Sequence, residues 1–110
     1  MTKREIALEY LRCFCEASID GIESLLAPGL KFTGTLGEYQ SAAHYLDALR
    51  SDPPQNASCT ILSITEADDS VAVFYDYHRP DRVITVAQLF TVRGQRIHEM
   101  RVVFDARGFV

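Results

Sequence analysis

Gln88 carries the clearest chemical consequence in this chain, because it alternates with Ile84, Val86, Phe90 and Val92 on the bulkier face of a strand-like run. An amide on a covered apolar face must find partners or cost about 1–3 kcal/mol. A ligand oxygen is one such partner, and Tyr10 or an ordered water is another. Tyr10 lies on the apolar stripe of the first helical segment, where its hydroxyl could donate to a carbonyl or enolate oxygen or fill core volume with its hydroxyl at the edge. Tyr75 and Tyr77 share one strand face. With Tyr10 they would wall a pocket for a flat, largely apolar molecule bearing one or two oxygens, and they equally fit a half-buried pair of good strand formers.

Other reactive residue types are arranged less purposefully. Cys13, Cys15 and Cys59 cannot all pair, and Cys13 and Cys15 point to different sides of one helix. They are expected to be reduced, and nothing nearby in sequence marks one as an activated nucleophile. His44 falls on a helix, His78 at a strand end, and His98 on the inward-biased face of the last strand, where a structural role is expected. No Cys-x-x-Cys occurs and the histidines lack ligand spacing, so neither metal nor cofactor is expected. Patterns for a catalytic serine, a phosphate loop or a zinc site are missing. With a formal net charge of -4 and basic residues scattered singly, the chain lacks the electrostatic footprint of a nucleic-acid binder. No apolar run approaches the roughly 20 residues of a membrane span. The basic start Met1-Thr2-Lys3-Arg4-Glu5 leads into a helical pattern and not a signal region, so a cytoplasmic protein without a membrane partner is expected.

The elements that must position these side chains follow from periodicity. The 110 residues suffice for a single domain spanning 1–110. Ile6, Ala7, Tyr10, Phe14 and Ala17 recur at helical steps and predict a helix from about Thr2 to Ser18. Asp20-Gly21-Ile22-Glu23 reads as a capping box opening a short helix with Leu25 and Leu26 on its buried face, stopped by Pro28-Gly29. Leu30 to Thr33 predicts a short strand, and Glu38 and Tyr39 fall in the loop after it. Ser41 then caps a helix carrying Ala42, Tyr45, Leu46 and Leu49. Four strands follow, about Ser58 to Thr65, Val71 to His78, Val83 to Val92 and Arg96 to Asp105, separated by turn-rich segments. This order predicts an α+β cone, a curved antiparallel or mixed sheet wrapped around the N-terminal helices and enclosing a pocket. Phe14, Tyr39, Tyr75, Tyr77, Phe90, Met100, Val102 and Phe104 are its expected lining. Phe74, Val83, Leu89, Ile97 and Val103 are left on the outer side among Thr85, Thr91 and Arg101, a mixture suited to an interface.

The stripe through Tyr10 and Phe14, the stretch from Asp20 to Leu26 leading into Leu30-Lys31-Phe32, and the closing Met100-Arg101-Val102-Val103-Phe104-Asp105 together resemble the SnoaL-like and ketosteroid isomerase-like branch of the nuclear transport factor 2-like superfamily. The resemblance covers nearly the whole chain. It implies the cone fold strongly and an activity weakly, since isomerases, cyclases, epoxide hydrolases, dehydratases and non-catalytic modules share that cone. Of the ketosteroid isomerase pattern, an oxyanion tyrosine falls on Tyr10, but the aspartate base falls on Gly34 and the protonated aspartic acid on Gln88. The carboxylate that limonene epoxide hydrolase places in its closing strand falls on Val102. If the chain is an enzyme, the resemblance implies isomerase or cyclase-like acid–base chemistry on a small apolar or amphipathic molecule. Tyr10 and Gln88 would polarise a carbonyl, and Glu38 would be the nearest carboxylate able to act as base. The other reading is a non-catalytic ligand-binding or protein-interaction module, and the resemblance also implies a homodimer through the outer sheet face.

Overall fold

The computed structural model describes residues 1–107. Helix α1 spans Lys3–Cys15, and Thr2 opens it. The Thr2 hydroxyl accepts from the Glu5 backbone N–H at 3.1 Å, while the Glu5 carboxylate accepts from the Thr2 N–H at 2.8 Å. The capping box is therefore here and not at Asp20. α1 also stops earlier than its apolar stripe suggests. Ala17 turns into the left-handed region at φ 55. The Ala17 and Ser18 N–H groups then donate back to the carbonyls of Phe14 and Cys13, the helix-closing pattern that usually employs glycine. The chain restarts as α2, Ile19–Glu23, with Ser18 at the cap position and no side-chain capping bond. Asp20 thus sits inside the first turn of α2, where its carboxylate still complements the helix dipole.

Strand β1, Leu26–Gly34, is longer than the sequence indicates. Pro28-Gly29 does not stop the helix, which already ends at Glu23. It occupies a break in strand pairing, where the register against the last strand shifts between Leu26 and Lys31, a place where a missing N–H costs no ladder bond. Glu38–Tyr39, expected as loop, form a two-residue strand β2 against Thr33 and Phe32. Helix α3, Ala42–Ser51, starts with the Ser41 hydroxyl accepting from the His44 N–H.

The meander follows as β3 (Ser58–Ala67), β4 (Ser70–Arg79), β5 (Arg82–Arg93) and β6 (Arg96–Phe104). Sheet order is β2-β1-β6-β5-β4-β3, with β1 and β6 parallel and every other pair antiparallel. The β5–β6 turn places Gly94 and Gln95 at positive φ, as a tight hairpin with the sheet's twist demands.

Alternation sets the inner face. Val71, Val73 and Tyr75 of β4 and Val86, Gln88, Phe90 and Val92 of β5 are buried under the helices. On β6 the pattern changes partway: Thr91 pairs Glu99, but Val92 pairs Ile97, leaving His98 as the extra residue of a bulge. Met100 faces inward as the even-numbered pattern requires, but below the bulge the parity reverses. Ile97 is fully buried, correcting its outward assignment, and His98 is displaced from the inner row that the alternation gave it.

Candidate functional site

Inside the cone, the polar groups gather at one level. Tyr10 of α1 and Tyr45 of α3 share a hydroxyl–hydroxyl hydrogen bond. The Tyr75 hydroxyl donates to Gln88 Oε1 at 2.7 Å, and Gln88 Nε2 donates to Met100 Sδ at 3.4 Å. All five side chains are buried. Every buried side-chain nitrogen or oxygen among the described residues has a partner. The weakest of these partners is the Met100 thioether, a poor acceptor for an amide donor. Burial in apolar surroundings raises the pKa values of Tyr10, Tyr45 and Tyr75, because a phenolate there loses its hydration. For Tyr10 the neighbouring Tyr45 and Tyr75 reinforce the shift, while Gln88 opposes it. Near neutral pH these phenols are donors and acceptors of hydrogen bonds, not bases.

Above this layer the cone opens. A cavity of about 130 Å³ is lined by Phe14, Tyr75, Tyr77, Ile84, Val86, Val102 and Phe104. Phe14 and Tyr77, with ring centroids 5.9 Å apart, separate it from an outer basin of about 480 Å³ bounded by Leu49, Pro53, Pro54, Asn56 and Arg79. Tyr77, half-buried at this boundary, is pushed up to about 12 by burial. The inner space is walled by apolar carbons. Tyr75 is the element common to both levels, its ring lining the cavity and its hydroxyl bound to Gln88. Depressions of about 520 and 350 Å³ lie outside the cone, beside α2–α3 and between α1 and β3.

The residues singled out from the sequence thus divide. Phe14, Tyr75, Tyr77, Val102 and Phe104 surround the cavity, while Tyr10, Gln88, Phe90 and Met100 form the packed layer beneath. Glu38 and Tyr39 lie elsewhere. Glu38 is exposed at the far edge of the sheet, paired with Thr33. Tyr39 packs against Phe32, His44 and Tyr45. Phe32 stacks on Tyr45 at 4.8 Å, and a Cβ added to Gly34 would meet the Phe32 ring at 2.8 Å. Aromatic packing therefore fills the region where a carboxylate at Gly34 would have to stand. Tyr45, Ile84 and Val86 are additions. Tyr45 was legible as an apolar-stripe residue, and its hydroxyl poses the same partner problem as that of Tyr10. Among the described residues no cluster of three or more His, Cys, Asp or Glu could hold a metal ion, and no helix is long and apolar enough to cross a membrane.

Comparison with known proteins agrees with this fold. No curated protein matches the chain. Among solved structures, an NTF2-like protein of unknown function from Cytophaga hutchinsonii superposes with a TM-score of 0.85 at 18% identity, covering 98% of this chain and 94% of that one. An LEH-like epoxide hydrolase of M. tuberculosis gives 0.81 at 15% identity, covering 94% and 83%. A protein with a ketosteroid isomerase-like fold from Catenulispora acidiphila, in complex with trimethylamine, gives 0.76 at 15% identity, covering 92% and 85%. At these identities the likeness establishes the cone and not its chemistry. The SnoaL-like domain model matches residues 7–100, and with its six-stranded mixed sheet the chain belongs to the SnoaL-like domain family.

Proposed function

We propose that this domain binds a small, largely apolar molecule in the chamber bounded by Phe14, Tyr77 and the inner faces of β4, β5 and β6. The supporting observation is the apolar cavity placed directly above the Tyr75–Gln88 pair. Its 130 Å³ is close to the roughly 150 Å³ engineered cavity that accepts benzene, so the inner space suits one ring or a short branched chain. A polar remainder would extend past Phe14 and Tyr77 into the outer basin, beside Asn56 and Arg79. A ligand oxygen that reached the Gln88 amide would replace a thioether acceptor with a much stronger one.

This arrangement favours binding over proton shuttling. The cavity-lining residues include no carboxylate, Glu38 lies at the opposite sheet edge, and the interior tyrosines hold their protons. If a reaction occurs, it is one that polarisation by Tyr75 and Gln88 alone can assist, such as enolisation or cyclisation of a substrate that supplies its own base. The test is a calorimetric and NMR titration with phenol, indole and cyclohexanone, repeated on Val102→Trp, whose indole would occupy the chamber. Saturable binding lost in Val102→Trp is the expected result. Binding unchanged by that substitution would contradict the assignment. A proton-exchange assay on the same ketone, comparing wild type with Glu38→Ala and Gln88→Leu, separates binding from catalysis.

A second feature favours self-association. On the outer face Phe74 pairs Ala87, and Ala87 pairs Val103, making a continuous apolar row with Leu89 beside it. Phe74 and Val103 are 50% and 64% exposed. A homodimer through this face would cover them. Sedimentation at micromolar concentration should give a dimer that Phe74→Asp converts to a monomer; a monomeric wild type would remove this reading.

A further inference from the structure

Outside the cone, α1 and β3 border the groove of about 350 Å³, whose walls include Leu8, Leu11, Arg12 and Ile61 and whose lining includes the side chains of Cys15 and Cys59. The two sulfurs lie 2.7 Å apart although the residues are separated by 44 positions in the chain. Both are free thiols, and both are partly accessible, unlike the buried Cys13. A disulfide needs a sulfur separation of about 2.05 Å, so bond formation requires the pair to close by less than an ångström.

We propose that Cys15 and Cys59 form an oxidative modification site, at which a small hydroperoxide entering the groove converts the two thiols into an intramolecular disulfide. The Cys15 thiolate attacks the terminal peroxide oxygen, the O–O bond breaks, and the departing alkoxide takes a proton and leaves as an alcohol. Cys15 is then a sulfenic acid. The Cys59 sulfur attacks the Cys15 sulfur, the S–S bond forms as the S–O bond breaks, and water leaves with the Cys59 proton. Two thiols and one hydroperoxide give one disulfide, one alcohol and one water. A cellular dithiol reverses the bond by exchange.

The roles follow from the contacts. Contact with the Cys59 sulfur lowers the pKa of the Cys15 thiol, while that of Cys59 is raised by the same contact and by burial. The first proton therefore leaves Cys15. Cys13 takes no part: it is buried, bonded to Glu9, and raised chiefly by burial. The bond would also act where the fold is least secured. β3 is an edge strand with most of its side chains exposed, and Phe14, next to Cys15, packs on Tyr77 at the chamber boundary. A cross-link closing α2, β1, β2 and α3 into one loop would pin the C-terminal end of α1 over that boundary.

The experiment treats wild type and Cys13→Ser with hydrogen peroxide, counts free thiols, maps peptides under non-reducing conditions and follows thermal unfolding. Expected are a Cys15–Cys59 peptide with no covalent link between chains and a midpoint raised by on the order of 10 °C, restored by dithiothreitol and absent in Cys15→Ser and Cys59→Ser. The proposal is overturned if wild-type peptides show Cys13 in the bond, if the bond joins two chains, if Cys15 advances to sulfinic acid with Cys59 untouched, or if all thiols persist.

Discussion

The two levels of the cone interior are built from similar residues to opposite ends. In the lower level Tyr10, Tyr45, Tyr75, Gln88 and Met100 use their polar atoms on one another, and Tyr10 packs its ring edgewise on Phe90 at 5.5 Å. In the upper level Phe14, Tyr77, Ile84, Val86, Val102 and Phe104 contribute apolar surface but leave about 130 Å³ between them. Satisfied polar groups in a closed layer fix one arrangement of the core. Apolar groups around a gap lose packing contacts that a guest can restore. The lesson is that the residues best suited by type to do chemistry here are spent on holding the floor together, and the ones beside the opening are suited to holding a guest.

The widest separation between the levels should come from truncating one aromatic in each. Phe90→Ala, in the fully buried floor, should cost about 3–5 kcal/mol in urea unfolding. Phe104→Ala, half-buried at the chamber wall, should cost about 1–2 kcal/mol while weakening binding of an aromatic probe. Equal costs would erase the distinction. Next in size is Tyr75→Phe, which leaves Gln88 Oε1 without its donor and should cost about 1–3 kcal/mol. Pairing it with Gln88→Leu should cost less than the two single changes added together, since the orphaned acceptor is then gone; additive effects would show that the pair is not coupled.

The tyrosines give a pH test with a definite sign. Their pKa values are raised in the folded protein, that of Tyr77 to about 12, against about 10 in an unfolded chain. Above pH about 10 the unfolded state releases these protons while the folded state keeps them, so stability present below that pH is lost as pH rises toward and through 12. Phenolate absorbance should show Tyr77 ionising before the floor tyrosines, with these appearing only as the protein unfolds. The smallest effect is expected of Glu38→Ala, within about 0.5 kcal/mol of wild type and without consequence for binding.

Much of this was readable from the chain. The three hairpin turns and the inward parity of β5 follow from composition and alternation, and the resemblance carried by Tyr10, Phe14 and the closing strand points to the observed cone. What could not be read depended on single backbone events. Nothing in its type says that Ala17 adopts positive φ, yet that residue ends α1 and moves Asp20 from a cap into a helix. The bulge at His98 reverses which of Ile97 and His98 meets the core, and strict alternation has no means to signal it. In the interior, sequence identified Gln88 as a polar group needing partners and Tyr10 as a donor or a core filler, but could not distinguish a ligand from Tyr45, Tyr75 and Met100. That choice is made by three elements distant in sequence. The Cys15–Cys59 contact, across 44 positions, is likewise a product of α1 packing on the edge strand.

The proposed chamber lies above the Tyr75–Gln88 layer, between Phe14 and Phe104. It is tested most directly by following backbone and side-chain NMR shifts as phenol is titrated into the protein. Saturable shifts confined to Phe14, Tyr75, Tyr77, Ile84, Val102 and Phe104 are predicted. Saturable shifts confined to Leu8, Arg12, Ala57 and Ser58 in the outer groove, with the chamber residues silent, would contradict it.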